Sequence, residues 1–307
     1  MVTFRRDAVR VVVPASSANL GPGFDTAGLA LAVYDELVAM VTEDEGVLVE
    51  IVGEGADDLP RDSSHLVVRA MQLAFDAMGA KPSGFILRCT NVIPHGRGMG
   101  SSAAAIVGGL VLARSLVADG ADRLTDADLL QLALTMEHHP DNLASTLHGG
   151  FTIAWIESDG IADHVRLDVH PDVRPVLLIP PNEVQTAKAR AMLPESVPFA
   201  DAAANVARAA LLVHAMTTDP RRLMTATEDR LHQGCRAAVY PDSVELVSRL
   251  RAAGIPAAIS GAGPSVLAFS PEELDALVAE TAGQAWVVRP VAVAESGARE
   301  VPMPPIS

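Results

Sequence analysis

The sequence predicts an α+β protein in two domains, on three observations. Strand-like and helix-like segments occur in both halves without the regular strand–helix–strand repeat of a doubly wound sheet. At 307 residues the chain is long enough for two cores of ordinary size. Apolar residues make up 49% of it and no low-complexity run interrupts it, so the whole chain has the composition of a folded protein.

Residues 9–13 form a short β-branched run, and residues 34–42 and 47–53 add two strands around an acidic turn at 43–46. Residues 63–78 carry Leu66, Val67, Ala70, Leu73 and Ala74 at helical spacing, with Gly79 as the stop. Residues 85–90 return to strand. The Ala-, Leu- and Val-rich run 101–117 reads as a buried helix, and Thr125 with Asp128 as a capping box opening another through Met136. Beyond it, strands at 151–156, 173–179 and 265–269 alternate with helices at 200–216, 244–253 and 272–282. The expected division is residues 1–160 and 161–307.

A net charge of −15 disfavours nucleic acid or an anionic membrane as partner, since both need a basic face. Cys89 and Cys235 share no CxxC spacing and suit a reduced, cytoplasmic protein with two inert thiols. The N-terminus lacks the apolar core of a secretory signal, and the apolar stretch 103–118 is broken by Arg114 and too short for a membrane span.

The strongest chemical signal is Pro94-His95-Gly96-Arg97-Gly98-Met99-Gly100-Ser101-Ser102-Ala103-Ala104. Glycines placed just before a helix let backbone amides approach an anion at the positive end of the helix dipole, which suits a polyphosphate such as ATP. A Walker A site is excluded, because the only lysines, Lys81 and Lys188, lie near no glycine loop. Ser101 and Ser102 supply hydroxyls where a Mg²⁺ ion bridging the phosphates would sit, and Glu137 is the carboxylate expected to hold that ion with Ser102. A capped glycine turn leading into a buried helix is the bland alternative, and the loop alone does not decide between them.

Three more blocks make the chain resemble the GHMP kinases, named for galactose, homoserine, mevalonate and phosphomevalonate members. They are Pro14-Ala15-Ser16-Ser17-Ala18-Asn19-Leu20-Gly21-Pro22-Gly23-Phe24-Asp25, then Glu137-His138-His139-Pro140-Asp141-Asn142-Leu143-Ala144 ending in Gly149-Gly150-Phe151, and Ser260-Gly261-Ala262-Gly263-Pro264-Ser265. The first two are similar to the form in the family's homoserine kinases. Met99, His138, Ser145 and Gln185 depart from the family's common residues, and His65 stands where an Asn near adenine is expected.

The resemblance implies a ribosomal protein S5 domain 2-like N-terminal domain, a ferredoxin-like C-terminal domain, and an active site between them that uses ATP and Mg²⁺ to phosphorylate L-homoserine. It places Arg190 and Arg236 at the substrate carboxylate, Asn19 and Asp25 at the amino acid, and His139 and Asn142 near the hydroxyl. Asn142, Asp141, Glu137 and Arg190 are the implied catalytic group, with Asn142 positioning the hydroxyl and Asp141 capping its helix rather than acting as a base. A family-like homodimer is compatible with this. Two alternatives share the fold: a kinase or decarboxylase for mevalonate or its diphosphate, the latter needing a more basic pocket, and a non-catalytic ligand-binding relative.

Overall fold

A computed structural model describes residues 2–303. Its larger core starts from two long strands. In β1 (Val9–Asn19) the β-branched Val9, Val11 and Val13 alternate into the core, and β2 (Gly23–Thr42) runs back antiparallel beside it. β3 (Gly46–Gly53) and β4 (Gly84–Asn91) lie parallel, so the chain must cross between them, and α1 (Leu66–Met78) makes the crossing.

α2 (Ser101–Leu116) lies against this sheet with eleven of its sixteen residues buried. Its two central glycines allow that depth: a Cβ on Gly108 would meet Leu37 at 2.6 Å, and one on Gly109 would meet the Val67 carbonyl of α1 at 2.7 Å. After the short α3 (Gly120–Arg123), α4 (Asp126–Leu134) opens with the expected capping box, in which Thr125 Oγ1 accepts from the Asp128 amide and the Asp128 carboxylate accepts from the Thr125 amide. α5 (Pro140–His148) follows, then the hairpin β5 (Phe151–Ile156) and β6 (Ala162–Leu167).

The smaller sheet begins at β7 (Pro175–Ile179). It continues through α6 (Thr186–Arg190), α7 (Phe199–Thr217), α8 (Leu223–Ala226) and α9 (Pro241–Ala252) to β8 (Ala257–Ile259) and β9 (Val266–Phe269). α10 (Asp275–Ala282) and β10 (Val287–Pro290) complete it. All its pairs are antiparallel in the order β10-β7-β9-β8, the ferredoxin-like arrangement, and Val176, Leu178, Leu246, Leu250 and Val278 form its own core.

β11 (Arg299–Val301) returns to pair with β1 and covers that edge of the larger sheet. A division at residue 160 thus falls between β5 and β6, which pair with each other in the larger sheet. Cys89 is buried and its thiol is pushed up to about 12 by that burial and by the charge of Asp35; Cys235 is only half-buried. No helix among the described residues is long and apolar enough to cross a membrane.

Candidate active site

The glycine loop enters α2 with φ of +63° at Gly96, +70° at Gly98 and +69° at Gly100, the left-handed region open to glycine. Space imposes the same choice, since a Cβ on Gly98 would stand 2.2 Å from the Ser260 carbonyl oxygen and one on Gly100 2.0 Å from Ser16 Oγ. Gly100 is the N-cap of α2 and no side chain caps the helix, so the first-turn amides remain available to an anion.

A cavity of about 100 Å³ opens beside these amides. The loop and α2 contribute Gly96, Gly98, Met99, Gly100, Ser101, Ser102 and Ala103, and the junction of α4 with α5 contributes Glu137, His139, Asp141 and Asn142. The facing ends of β1 and β2 add Asn19 and Asp25, α6 adds Thr186 and Arg190, and Arg236, Gly261 and Ala262 complete the lining. His95 and Ala104 face instead a neighbouring cavity of about 180 Å³ with Leu37, Leu59, Leu66 and Val67, which shares Ser101 and Ser102 with the first. His65 lies buried in its wall with Nδ1 unpartnered. Pro94 and Arg97 line neither; the Arg97 guanidinium donates to the carbonyls of Pro180 at 3.2 Å and Pro181 at 3.0 Å.

The β1–β2 turn is strained where it meets the cavity, because Asn19, Leu20 and Asp25 hold φ of +69°, +49° and +54°. The Asn19 side chain holds that turn in shape: Nδ2 donates to the Gly261 carbonyl at 2.8 Å and Oδ1 accepts from the Asp25 amide at 3.0 Å. Asp25 in turn forms an ion pair with Arg190, both half-buried. Arg236 differs: it is 1% exposed, its Nε has no partner, and no carboxylate pairs with it among the described residues.

Glu137 accepts a hydrogen bond from His139 Nδ1. Burial works to raise the Glu137 carboxyl, but the His139 bond and the charges of His139 and Arg190 outweigh it and the net shift is down, so Glu137 is an anion in the cavity. Asp141, 1% exposed, goes the other way, raised to about 7 first by burial and then by the charge of Asp25. Its Oδ1 accepts from the Asn142 amide at 2.8 Å at the start of α5. Asn142 Oδ1 accepts from Ser16 Oγ at 2.9 Å, which fixes the amide beside Gly100.

Ser16, Thr186 and Phe24 were not legible as site residues. Phe24 stacks on the His232 ring with centroids 4.9 Å apart and faces the guanidinium groups of Arg236 at 5.3 Å and Arg190 at 5.4 Å. The Gly-Phe-Asp block carried the available signal, but nothing in it says which basic residues the ring will meet.

Two domains that meet at a glycine-opened helix are the arrangement of the small-molecule kinases the sequence resembles. Residues 65–150 match the GHMP kinases N terminal domain and residues 209–287 the GHMP kinases C terminal domain. A homoserine kinase from Streptomyces coelicolor is 51% identical over 98% of this chain and 96% of its own length, and one from Mycobacterium tuberculosis is 49% identical over 84% and 83%. Among solved structures, a homoserine kinase from Cytophaga hutchinsonii superposes with a TM-score of 0.84 at 27% identity, covering 97% of this chain and 99% of that one. The chain belongs to the GHMP kinase family.

Proposed function

We propose that this protein transfers the γ-phosphoryl group of ATP to the side-chain hydroxyl of L-homoserine, forming O-phospho-L-homoserine for threonine biosynthesis. The observation that carries the substrate is Arg236, a buried guanidinium without an acidic partner among the described residues, in the lining of the cavity beside the glycine loop. A buried cation of this kind is suited to a planar carboxylate, which Arg binds through paired hydrogen bonds. Curated relatives near 50% identity over almost the whole chain carry the same activity in their names.

In this reading the α2 amides and the glycine loop hold the ATP phosphates, and the apolar cavity beside His65 takes the base. The substrate carboxylate lies on Arg236 with Arg190 beside it, Asp25 and Asn19 border the ammonium, and Asn142 orients the hydroxyl. The Glu137 carboxylate and Ser102 hydroxyl are hard oxygen donors in one cavity and fit Mg²⁺, an ion that keeps several waters and needs few protein ligands. When bound, Mg²⁺ offsets charge on the phosphates. The homoserine oxygen bonds to the γ-phosphorus as the bond to ADP breaks, and the hydroxyl proton leaves to solvent, because a loose transition state asks mainly for alignment.

Three carboxylates, Asp25, Glu137 and Asp141, line the cavity alongside the two arginines, which argues against a diphosphorylated substrate. A cytoplasmic setting without nucleic acid or membrane partners is part of the same proposal, supported by the charge of −15. A homodimer is the assembly expected on sizing. ADP release with Mg²⁺-ATP against homoserine, mevalonate, galactose, shikimate and threonine tests the function. Turnover with homoserine alone is expected, and preferential turnover of mevalonate would overturn it.

A further inference from the structure

Arg236 Nη1 is held by a histidine, and the chemistry of that contact fixes a tautomer. His232 is 1% exposed and lies in the turns between α8 and α9. Its Nε2 stands 2.8 Å from the Gly21 carbonyl oxygen, which can only accept, so Nε2 carries the proton. Its Nδ1 stands 3.1 Å from Arg236 Nη1, which can only donate, so Nδ1 is bare. The imidazole is therefore neutral and bridges the strained turn of one domain to the buried arginine of the other. Burial lowers the His232 ring from its ordinary value, against the opposing charge of Asp229, in keeping with the neutral form. Asp229 has its own work, accepting from the amides of Leu231, His232 and Gln233 at 3.0, 3.1 and 2.8 Å.

We infer that His232 is a positioning residue for substrate selection: by accepting from Nη1 it aims the remaining donors of Arg236 at the carboxylate of the amino-acid substrate. This rests on the proposed carboxylate role of Arg236. Arg236 Nε has no partner among the described residues, and His232 Nδ1 is the acceptor that holds Nη1, with the Tyr240 hydroxyl close to the same guanidinium. Phe24, stacked on the His232 ring and facing the guanidinium, walls the same group from the side. Selection of a carboxylate therefore depends on a residue that need not touch it.

The two ring nitrogens can be separated by substitution. In His232→Asn the amide oxygen occupies the place of Nδ1 and can still accept from Arg236, whereas in His232→Gln the amide nitrogen occupies the place of Nε2 and can serve Gly21 alone. The readout is the ratio of kcat/KM for L-homoserine to that for 3-aminopropan-1-ol, which lacks the carboxylate. The ratio is taken on one preparation, so the fraction of correctly folded enzyme cancels. His232→Gln should shrink it by about 10- to 100-fold, the loss expected of one hydrogen bond to a charged group, while His232→Asn keeps most of it. KM for homoserine should carry the loss in His232→Gln, with KM for ATP unchanged. A ratio retained in His232→Gln, or equal losses in both variants, would overturn the role of His232 and leave that of Arg236 standing. A wild-type enzyme that shows no preference for the carboxylate would overturn the Arg236 reading itself, and this inference with it.

Discussion

Asp141 and Asn142 are neighbours in sequence and do different work. Asn142 is aligned by Ser16 beside the glycine-opened start of α2, whereas Asp141 is buried, bonded to the start of its own helix and raised to about 7. A base supplies about 10² to 10⁴ in rate, so Asp141→Asn should lower kcat by less than about tenfold if alignment dominates. Asn142→Ala should cost about 10²-fold, the scale of a misplaced reacting group. A loss beyond about 10²-fold in folded Asp141→Asn, together with loss of a limb in the wild-type pH–rate profile, would make Asp141 the base.

The same carboxyl makes a prediction about stability. Its folded-state value is raised above the ordinary carboxylate range, so the native state holds a proton that the unfolded chain has released. That contribution is complete below about pH 4 and is lost as pH rises through about 7. The side-chain amide introduced by Asp141→Asn cannot ionise but can still accept from the Asn142 backbone. The Tm of Asp141→Asn minus that of the wild type should therefore grow from about pH 5 to about pH 8 and then level off. A gap that stays constant across this range would show that Asp141 titrates as an ordinary carboxyl.

At the scale of elements, the glycine loop was readable because three glycines and two serines before an apolar helix leave few structural meanings, and the capping box of α4 was readable from Thr125 and Asp128 alone. The β1–β2 turn was legible only as a motif. Its left-handed Asn19, Leu20 and Asp25 depend on bonds to Gly261 and, at the adjoining Gly21, to His232 from far along the chain, and no local propensity predicts them. β6 and β11 were missed for a related reason: each is a short strand on the larger sheet, β11 defined by pairing with β1 almost three hundred residues away. The loop makes the sharper prediction. In Gly98→Ala the new methyl meets a backbone carbonyl at 2.2 Å in a left-handed conformation, so the loop must move. The KM for ATP should rise by about tenfold or more, and by more than the KM for homoserine, because Gly98 belongs to the loop that opens α2. Equal effects on both would mean that the loop also shapes the amino-acid pocket.

At the scale of the whole molecule, the site exists because the β8–β9 hairpin of the smaller sheet is pressed into the larger one. The Gly261 amide donates to the Ala18 carbonyl at 3.0 Å, and Asn19 donates back to the Gly261 carbonyl. Ser260 Oγ, fully buried, donates to the Gly98 carbonyl at 2.6 Å and accepts from Ser17 Oγ at 2.8 Å. One hydroxyl thus ties β1, the phosphate loop and the second domain together. Ser260→Ala leaves a buried carbonyl and a buried hydroxyl each short of a partner, at a cost of about 1 to 3 kcal/mol. The Tm should fall by several degrees, roughly 2 to 4 °C per kcal/mol for a chain of this size. Because the lost bond anchors Gly98, the KM for ATP should rise with it, and saturating ATP should restore more stability to Ser260→Ala than a ligand on the homoserine side does. A fall in Tm with an unchanged KM for ATP would mean that the hairpin stabilises the fold without shaping the phosphate loop.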